Sequence, residues 1–358
     1  MSTALTRRQF IQSTTAAALA STLPALAADS DAVKATPSYN PNMDYRRLGK
    51  TNLYVSAICM GGHWKRVNTV VNDFKSNGYE PLTDELHPGF EKNRYDTLTR
   101  CIEHGINLVD ACSAREICAY ARALKGRRDK MLMTFSWFEN ESRFPEWRTA
   151  AKLLQGLENG MKIAGLDHVD IWRISALMDG SHTPAETEAI ITALDTARKQ
   201  GKVRFTGVSS HSREWLKMLV EKYPDTIQVI VTPYTADSKI LPTDSLFDAV
   251  KKHDVGVLGI KPFASNSLFK GTSALDDPNR EEDDKRARLA LRYILCNPAI
   301  TAPIPGLINN HQVDNVVAVL KERRQLDLSE KAELDAATKE MWARLPEDYQ
   351  WLKDWRQV

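Results

Sequence analysis

The chain has 358 residues, a formal net charge of +2 and a hydrophobic share of 42%, which are ordinary values for a soluble protein with one sizeable core. The near balance of charge favours neither nucleic acid nor a membrane surface as a partner, and no stretch beyond the N-terminus is apolar and long enough to span a bilayer. The five cysteines include no Cys-x-x-Cys pair, so the sequence gives no sign of a structural zinc or an iron–sulfur cluster, and we expect no metal.

The first thirty residues differ from the rest of the chain. Arg7 and Arg8 precede an aromatic and an aliphatic residue, a weakly apolar run covers residues 14–26, and small residues follow at 25–27. This order resembles a twin-arginine export signal, although a tail that merely contains Arg-Arg is the alternative. We therefore predict a signal peptide at 1–27, a linker at 28–42, a folded domain at 43–358, and a periplasmic or other extracytoplasmic location.

From about Tyr45, short β-rich runs alternate with amphipathic helical patterns. Strands are predicted at 55–60, 106–110, 131–136, 169–175, 203–208, 227–232, 255–261 and, more weakly, 300–304. Helices are predicted at 95–104, 117–124, 146–163, 184–200, 214–222, 246–253, 281–295 and 312–323. Eight strand–helix units predict an α/β fold in which a parallel sheet closes as a (β/α)₈ TIM barrel.

Two segments fall outside the eight units. The connection 63–94, which includes the aperiodic stretch 81–92, is far longer than an ordinary strand-to-helix loop and emerges on the face where barrel enzymes keep their active sites. Near the end of the chain, a helical pattern at 329–343 is followed by Trp351 and Trp355. We expect this extension to pack across the outside of the barrel.

Several phrases occur in the order and at the spacing of the aldo/keto reductases. They are YRRLGKT at 45–51, GINLVD at 105–110, LKGRRD at 124–129, GLDHVD at 165–170, GKVRFTGVS at 201–209 and IPG at 304–306. Over residues 45–323 the chain thus resembles that family. The resemblance implies a barrel with an N-terminal hairpin and a C-terminal helical extension, and an NAD(P)H-dependent reduction of aldehydes and ketones.

The resemblance also implies a catalytic tetrad, which this chain mostly lacks. The family's aspartate falls at Asp110, its proton-donating tyrosine at Arg115, its lysine at Ser136 and its carbonyl-orienting histidine at Ser175. A guanidinium stays protonated at any ordinary pH and cannot replace a phenol as an acid. Only Asp110 keeps the residue type that the family's chemistry requires.

The family's cofactor contacts map onto Ser209, Ser210, Lys261, Asn309 and Gln312, so NAD(P) is possible by resemblance. The site looks depleted, however. The family's glutamine is replaced by Val231, its stacking aromatic by Ile260, and residues 307–311 offer no Lys or Arg for a 2′-phosphate. Each missing charge-assisted hydrogen bond is typically worth about 1.5–3 kcal/mol.

The charged residues near the strand ends allow two interpretations. Arg173 shares the inward face of its strand with Ser175 and can form an internal ion pair with Asp110, for which Arg115 is also near enough. Alternatively, Arg115, Arg173 and Lys261 form a site for an anion or a sugar acid. A small-molecule ligand near the C-terminal face of the barrel is the expected partner.

Other residues at the strand ends leave their roles open. Trp64 and Trp137 either form a carbohydrate surface or simply pack the long loop. His63 and His211 are the best-placed titratable groups besides Asp110, but these three have no recognised metal spacing. Cys112 and Cys118 are close enough in sequence for a disulfide, although two buried thiols is the favoured interpretation.

Three functions remain open. In the first hypothesis, the chain is an aldo/keto-type oxidoreductase that holds a dinucleotide by other contacts and uses altered acid–base groups. Alternatively, it is an exported, catalytically silent barrel that binds a small molecule or a protein. The third hypothesis is lyase or hydrolase chemistry on a sugar, carried by His63, His211 or Asp110.

Overall fold

The computed structural model describes residues 30–72, 74 and 87–358. The predicted signal segment 1–27 and the first half of the stretch 81–92, residues 81–86, lie outside the described residues. A short helix α1 (Asp31–Lys34) leads into an antiparallel hairpin of β1 (Tyr45–Arg47) and β2 (Tyr54–Ser56). Leu48 and Val55 of this hairpin are fully buried and extend the apolar interior of the barrel, so the hairpin closes its N-terminal end.

Eight parallel strands follow in chain order, each paired with the next. They are β3 (Met60–Gly61), β4 (Leu108–Ala111), β5 (Leu132–Phe135), β6 (Val169–Ser175), β7 (Val203–Ser209), β8 (Val229–Pro233), β9 (Gly256–Ile260) and β10 (Ala302–Pro303). A parallel bridge between Gly61 and Gly306 and a 2.8 Å hydrogen bond from the Gly61 N–H to the Pro305 carbonyl join the last strand to the first. The predicted (β/α)₈ barrel is confirmed.

The strands read as apolar runs because both of their faces are covered. One set of side chains fills the barrel interior, including Leu108, Leu132, Ile171, Val229 and Leu258. The other set packs against the surrounding helices. Since the parallel strands are buried on both faces, except at Arg204 and Phe205 near the start of β7 and at Ile260 at the end of β9, the alternation typical of a half-exposed sheet is missing.

The outer helices carry the local signals that begin and end them. They are α2 (Pro88–Glu103), α3 (Ala114–Ala123), α4 (Ala150–Ala164), α5 (Pro184–Lys199), α6 (Arg213–Lys222), α7 (Leu246–Lys252), α8 (Arg280–Leu295), α9 (Asn310–Ala318) and α10 (Leu328–Ala343). Thr183 and Glu186 form a capping box at the start of α5, and Gly165 ends α4 with φ 67°. Short 3₁₀ turns lie at Gly49–Thr51, Val67–Thr69, Arg128–Lys130, Phe138–Asn140, Pro145–Trp147 and Val319–Lys321.

Several predicted boundaries move, and three of the changes have a clear local cause. The run 55–60 divides between the hairpin and β3, because the chain turns between them. Helix α2 begins at Pro88 rather than residue 95, since the side chain of His87 accepts a hydrogen bond from the Phe90 N–H and proline suits the first helical position. Helix α3 begins at Ala114 rather than 117, because Ser113 caps it.

The C-terminal extension divides into two parts. Helix α10 packs on α8 outside the barrel, as expected, and ion pairs such as Arg292–Glu330 at 2.7 Å join the two helices. The following 3₁₀ segment, Glu347–Arg356, lies elsewhere. It crosses the C-terminal mouth of the barrel, where the indole of Trp355 donates to the His211 carbonyl at 3.0 Å. The expectation that the whole tail lies outside is therefore wrong for this segment.

Candidate functional site

A cavity of about 560 Å³ opens at the C-terminal ends of the strands, where the barrel fold places its active sites. Its floor contains side chains from the strand ends, among them Asp110, Arg173, Ser175, Ser209 and Val231. Loops after the first, third and seventh strands form its walls, and the C-terminal segment Glu347–Arg356 covers one side of its mouth. Most of the residues singled out in the sequence meet here.

Asp110 forms a buried, bidentate ion pair with Arg173. The guanidinium donates to the two carboxylate oxygens at 2.9 and 2.8 Å, and the two side chains are 8% and 3% exposed. Burial acts to lower the pKa of Arg173, but the charge of Asp110 outweighs it, and the pKa lies above its ordinary value. Thr134 donates a further short hydrogen bond to Asp110. The internal ion pair considered from the sequence is thus present, with Arg173 as the cation.

Ser136 and Ser175 belong to a buried network around a carboxylate that the sequence did not single out. Their hydroxyls lie 2.8 Å apart, and the Ser136 hydroxyl donates to Glu141 at 2.5 Å. The Ser175 N–H and the Trp172 indole also donate to Glu141, at 2.7 and 3.1 Å. Burial raises the pKa of Glu141, and these donors offset only part of that effect. Both serines thus have hydrogen-bond partners within the protein.

Arg115 lies away from the other tetrad positions. Strand β4 ends at Ala111 and helix α3 begins at Ala114, so the connection has only two residues and Arg115 falls in the first helical turn. Its guanidinium lies 5.8 Å from the centre of the Phe74 ring, beside the long loop. Arg115 is not among the described residues that line the cavity. An anion site built from Arg115 together with Arg173 and Lys261 is therefore not what the geometry brings together.

His63 and Glu116 form a close pair at the ends of the first two strands. His63 Nδ1 lies 2.8 Å from Glu116 Oε1, and the same carboxylate accepts the backbone N–H groups of His63 at 2.5 Å and Cys112 at 2.8 Å. Burial acts to raise the pKa of Glu116, but His63 and these donors outweigh it and hold the pKa below its usual value. Burial lowers the pKa of His63 despite Glu116. A neutral imidazole beside an ionised carboxylate results.

Glu116 was missed in the sequence, although a local signal points to it. Ser113-x-x-Glu116 has the spacing of a capping box, which predicts a helix beginning at Ala114. In the structure the Ser113 hydroxyl accepts the Glu116 N–H at 3.2 Å, as in a capping box. The carboxylate instead turns toward His63 and Cys112.

Four half-buried cations surround the cavity: Lys65, Arg66, Arg143 and Lys261. Within the described part of the chain, none of them is in an ion pair with a carboxylate, whereas many arginines elsewhere on the barrel are paired, as Arg122 is with Glu91 at 2.7 Å. Two acidic residues also line the cavity: Asp348 at the rim and Asp110 on the floor, where Arg173 neutralises it. The rim therefore has an excess of positive charge.

Two neighbouring groups record that positive potential. Burial lowers the pKa of His211 to about 2, and the nearby Lys261 and Arg143 add to the effect. Burial acts to raise the pKa of Tyr349, but Lys261 and Lys65 outweigh it, and the pKa lies below its usual value. The His211 ring also stacks on Trp351 at a centroid distance of 3.8 Å. His211 is therefore neutral at physiological pH and offers no acid there.

The positions expected to contact a cofactor divide into two groups. Ser209, Lys261 and Gln312 line the cavity. Ser210 is fully buried and its hydroxyl donates to the Leu177 carbonyl at 2.8 Å. Asn309 caps helix α9 by accepting the Gln312 N–H at 2.8 Å, and it lines an adjacent pocket rather than the main cavity.

The remaining open alternatives are settled by burial. Trp64 and Trp137 are only 1% and 5% exposed, so they pack the core and do not form a ligand surface. Cys112 and Cys118 are both free thiols rather than a disulfide, and Cys118 is buried as favoured, whereas Cys112 is half-buried and lines the cavity.

The family assignment follows from comparison with known proteins. A model of the aldo/keto reductase family matches residues 88–339. The chain belongs to this family. It is 22% identical over 315 residues to L-galactose dehydrogenase of Arabidopsis thaliana, covering 81% of this chain and 92% of that protein. It is 24% identical over 300 residues to the uncharacterized oxidoreductase YrpG of Bacillus subtilis (strain 168), covering 74% and 87%.

A solved structure gives the same result for the fold. The aldo-keto reductase AKR11C1 from Bacillus halodurans, in its holo form, superposes with a TM-score of 0.58 at 18% identity, covering 86% of this chain and 99% of that one. Aldo/keto reductases generally use NAD(P)H. No helix in the described part of this aldo/keto reductase is both long and apolar enough to cross a membrane.

Proposed function

We propose that this aldo/keto reductase is an oxidoreductase that binds a nicotinamide dinucleotide over the C-terminal end of the barrel and activates its substrate without the family's tetrad. The observation that carries this proposal is the set of four rim cations that have no carboxylate partner among the described residues. An excess of positive charge around a partly enclosed cavity attracts a polyanion such as a pyrophosphate.

The residues present fit the diphosphate part of such a cofactor. Lys261 begins a loop after β9 in which Ala264, Ser265 and Asn266 also have positive φ values, between 45° and 69°. Non-glycine residues in this left-handed region are costly and collect at ligand-binding sites. Lys65 reaches the same loop through a 2.8 Å hydrogen bond to the Ser265 hydroxyl. When bound, the dinucleotide supplies the hydride-transfer chemistry, and the loop with its neighbouring cations holds the anionic part.

The adenosine side favours NAD(H) over NADP(H). Near the start of α9, where relatives place a cation for the 2′-phosphate, the adjacent pocket contains three carboxylates, Asp277, Asp283 and Asp284, against one arginine, Arg280. Asp284 is paired with His311 at 2.6 Å, and Asp283 accepts two backbone N–H groups at 2.7 and 2.8 Å. Three carboxylates beside the ribose repel a phosphate, whereas a carboxylate is a common partner for a ribose 2′-hydroxyl.

The substrate class is a sugar or polyol. Phe138, Tyr349 and Trp351 line the cavity and offer flat apolar faces beside polar groups, a combination that suits sugar rings. The likeness to L-galactose dehydrogenase supports the same choice. Because Asp110 is held by Arg173 and both serines by Glu141, the acid–base step differs from that of the family.

Dinucleotide binding tests this function directly. Calorimetric titration should show NAD⁺ or NADH binding that weakens as salt rises, with NADP⁺ binding more weakly. Lys261→Met and Arg66→Met should each reduce the affinity roughly 10- to 100-fold, the equivalent of one charge-assisted hydrogen bond. Lys92→Met is the matched control, since Lys92 is 76% exposed on α2. Absence of binding by any dinucleotide, or equal losses in the control, refutes the proposal.

A second candidate function is a catalytically silent binding protein. It is favoured by the tetrad positions, where Asp110, Ser136 and Ser175 are all satisfied by internal partners. Steady NAD(H)-dependent turnover on any member of a panel of aldoses and polyols eliminates this candidate. Dinucleotide or sugar binding without turnover favours it over the first.

We further propose that the chain is exported by the twin-arginine route, a proposal supported by the residue order at 6–27. Replacing Arg7 and Arg8 by lysine should retain the protein in the cytoplasm. Mass spectrometry of the exported protein should show cleavage after residue 27 and report any retained cofactor, because this route carries folded proteins. Equal export of the wild-type protein and the double lysine variant contradicts the proposal.

A further inference from the structure

Three side chains of different chemistry converge at the ends of the first two barrel strands. His63 follows β3, Cys112 follows β4, and Glu116 lies in the first turn of α3. One ligand atom from each can be chosen so that all three lie within 4.8 Å of one another. We propose that His63, Cys112 and Glu116 bind a zinc ion that keeps an open coordination position toward the cavity.

The distances suit a tetrahedral ion after a small adjustment. In zinc sites the Zn–N and Zn–O bonds are about 2.0–2.1 Å and the Zn–S bond about 2.3 Å, so tetrahedral ligand atoms lie about 3.3–3.6 Å apart. Cys112 Sγ is 3.7 Å from both His63 ring nitrogens. The 2.8 Å contact between His63 Nδ1 and Glu116 Oε1 must widen by about 0.5 Å to admit the ion.

The backbone around the cluster is built for this close approach. A Cβ atom at Gly62 would overlap the Glu116 carboxylate, so no other residue fits there without displacing it. The next residue, His63, has φ 59°, in the left-handed region that is costly for a non-glycine side chain. The two-residue connection between β4 and α3 brings Cys112 and Glu116 together from adjacent elements.

Supporting hydrogen bonds orient the buried ligand. Glu116 is fully buried, and its carboxylate accepts the backbone N–H of His63 at 2.5 Å and that of Cys112 at 2.8 Å. Each carboxylate oxygen has two acceptor sites, so these bonds leave room for a metal. In metal centres such outer contacts hold the ligating atom in position.

The donor set and its exposure indicate the metal and the kind of site. One imidazole, one thiolate and one carboxylate form a mixed set that zinc accepts, and three protein ligands with a fourth open position are typical of catalytic rather than structural zinc. His63 and Cys112 line the cavity, whereas Glu116 lies behind them. The open position therefore faces the space in which a substrate would bind.

A zinc ion at this site would help to activate the substrate of the proposed oxidoreductase, and this role of the metal rests on the proposed function. The chain lacks the phenol with which its family polarises a carbonyl oxygen, and zinc polarises carbonyl oxygens as a Lewis acid. Zinc binding itself needs no dinucleotide, so the site and the function can fail separately.

The experiment measures zinc binding to the purified full chain. The protein is stripped with a chelator, dialysed, and titrated with Zn²⁺ against a chromophoric competitor, while elemental analysis counts the bound metal. We expect one zinc per chain. Cobalt(II) substitution should give the thiolate-to-cobalt charge-transfer band and the strong visible bands of a tetrahedral site.

Variants locate the metal. Loss of a contact that merely supports a metal ligand weakens metal binding roughly 10- to 100-fold. Cys112→Ser and His63→Gln each remove a ligand itself and should weaken zinc binding by at least that factor. Cys112→Ser should also abolish the charge-transfer band. Cys296→Ser is the matched control, because Cys296 is an exposed free thiol far along the chain. Cys112 is only partly buried, so its serine variant remains informative even where Glu116→Gln does not fold.

Each outcome decides the matter. No zinc bound at one equivalent, or unchanged affinity in Cys112→Ser, overturns the proposed site. Zinc binding that depends on Cys112 without any dinucleotide binding supports the site and refutes the proposed function. Dinucleotide binding without zinc refutes the site alone.

Discussion

The buried pair of Asp110 and Arg173 allows a quantitative test of how the former catalytic floor is stabilised. Arg173→Met removes the cation and leaves an ionised carboxylate 8% exposed, with only Thr134 among its described side-chain donors. Breaking one partner of a buried ion pair typically costs about 3–5 kcal/mol, because the remaining charge is desolvated and uncompensated. We expect the free energy of unfolding to fall by about that amount.

The double variant Asp110→Asn/Arg173→Met removes both charges and should cost less than Arg173→Met alone. Coupling between the two sites should then be about 2–4 kcal/mol in a double-mutant cycle. Urea unfolding followed by tryptophan fluorescence and circular dichroism measures each value. Lys92→Met breaks an exposed pair and should change stability by less than about 1 kcal/mol. A cost below about 1 kcal/mol for Arg173→Met, or simple additivity in the cycle, refutes the reasoning.

Three further predictions concern titratable and packed groups. Burial raises the pKa of Glu139 to about 7, so the folded state loses stability as pH rises from about 4.5 through 7. The free energy of unfolding, measured with urea, should therefore fall between pH 5 and pH 8. In Glu139→Gln this fall should be smaller by roughly 1–3 kcal/mol. Because the pKa of His211 is lowered to about 2 in the folded state, the unfolded state gains a proton there as pH falls below about 6.5 and the folded state loses stability. At pH 5 this loss should be about 2 kcal/mol, and His211→Gln should abolish it. A pH profile that is the same in wild type and variant contradicts either claim. Gly62→Ala forces a Cβ atom against Glu116 and should destabilise the fold by about 1–3 kcal/mol. Gly259→Ala is the control and should destabilise it less, because the nearest atom to a Cβ there is 3.4 Å away. Equal losses of stability in the two variants, measured by thermal melting, count against the steric argument.

The fold was predictable because its signals are local. Each strand–helix unit carries its own apolar run and helix boundary, and the inward position of Arg173 follows from the two-residue period of a strand, since it lies two residues before Ser175. The site is harder to predict because its contacts join distant segments. Glu116 meets His63 across 53 residues, and Glu141 meets Ser175 across 34. Nothing in the period or spacing of a sequence specifies such pairs.

The C-terminal segment shows the same limit. Trp355 is 1% exposed, but an apolar residue in a sequence does not identify the surface that buries it. The segment packs over the barrel mouth because Trp351 stacks on His211 and the Trp355 indole finds the His211 carbonyl. These partners lie about 140 residues earlier in the chain, so only the folded structure shows that the tail borders the cavity.

The two proposals for the cavity are electrostatically compatible. Arg173 neutralises Asp110. A zinc ion brings two positive charges and displaces the proton of the Cys112 thiol, so the cluster of His63, Cys112 and Glu116 changes from one negative charge without the metal to no net charge with it. This change of one charge is small beside the four rim cations, which supply the positive potential in both states. Dinucleotide affinity should therefore show nearly the same salt dependence in the apo and zinc-loaded protein. A slope that becomes much shallower when zinc is removed would mean that the metal itself holds the anion, and that the rim cations do not.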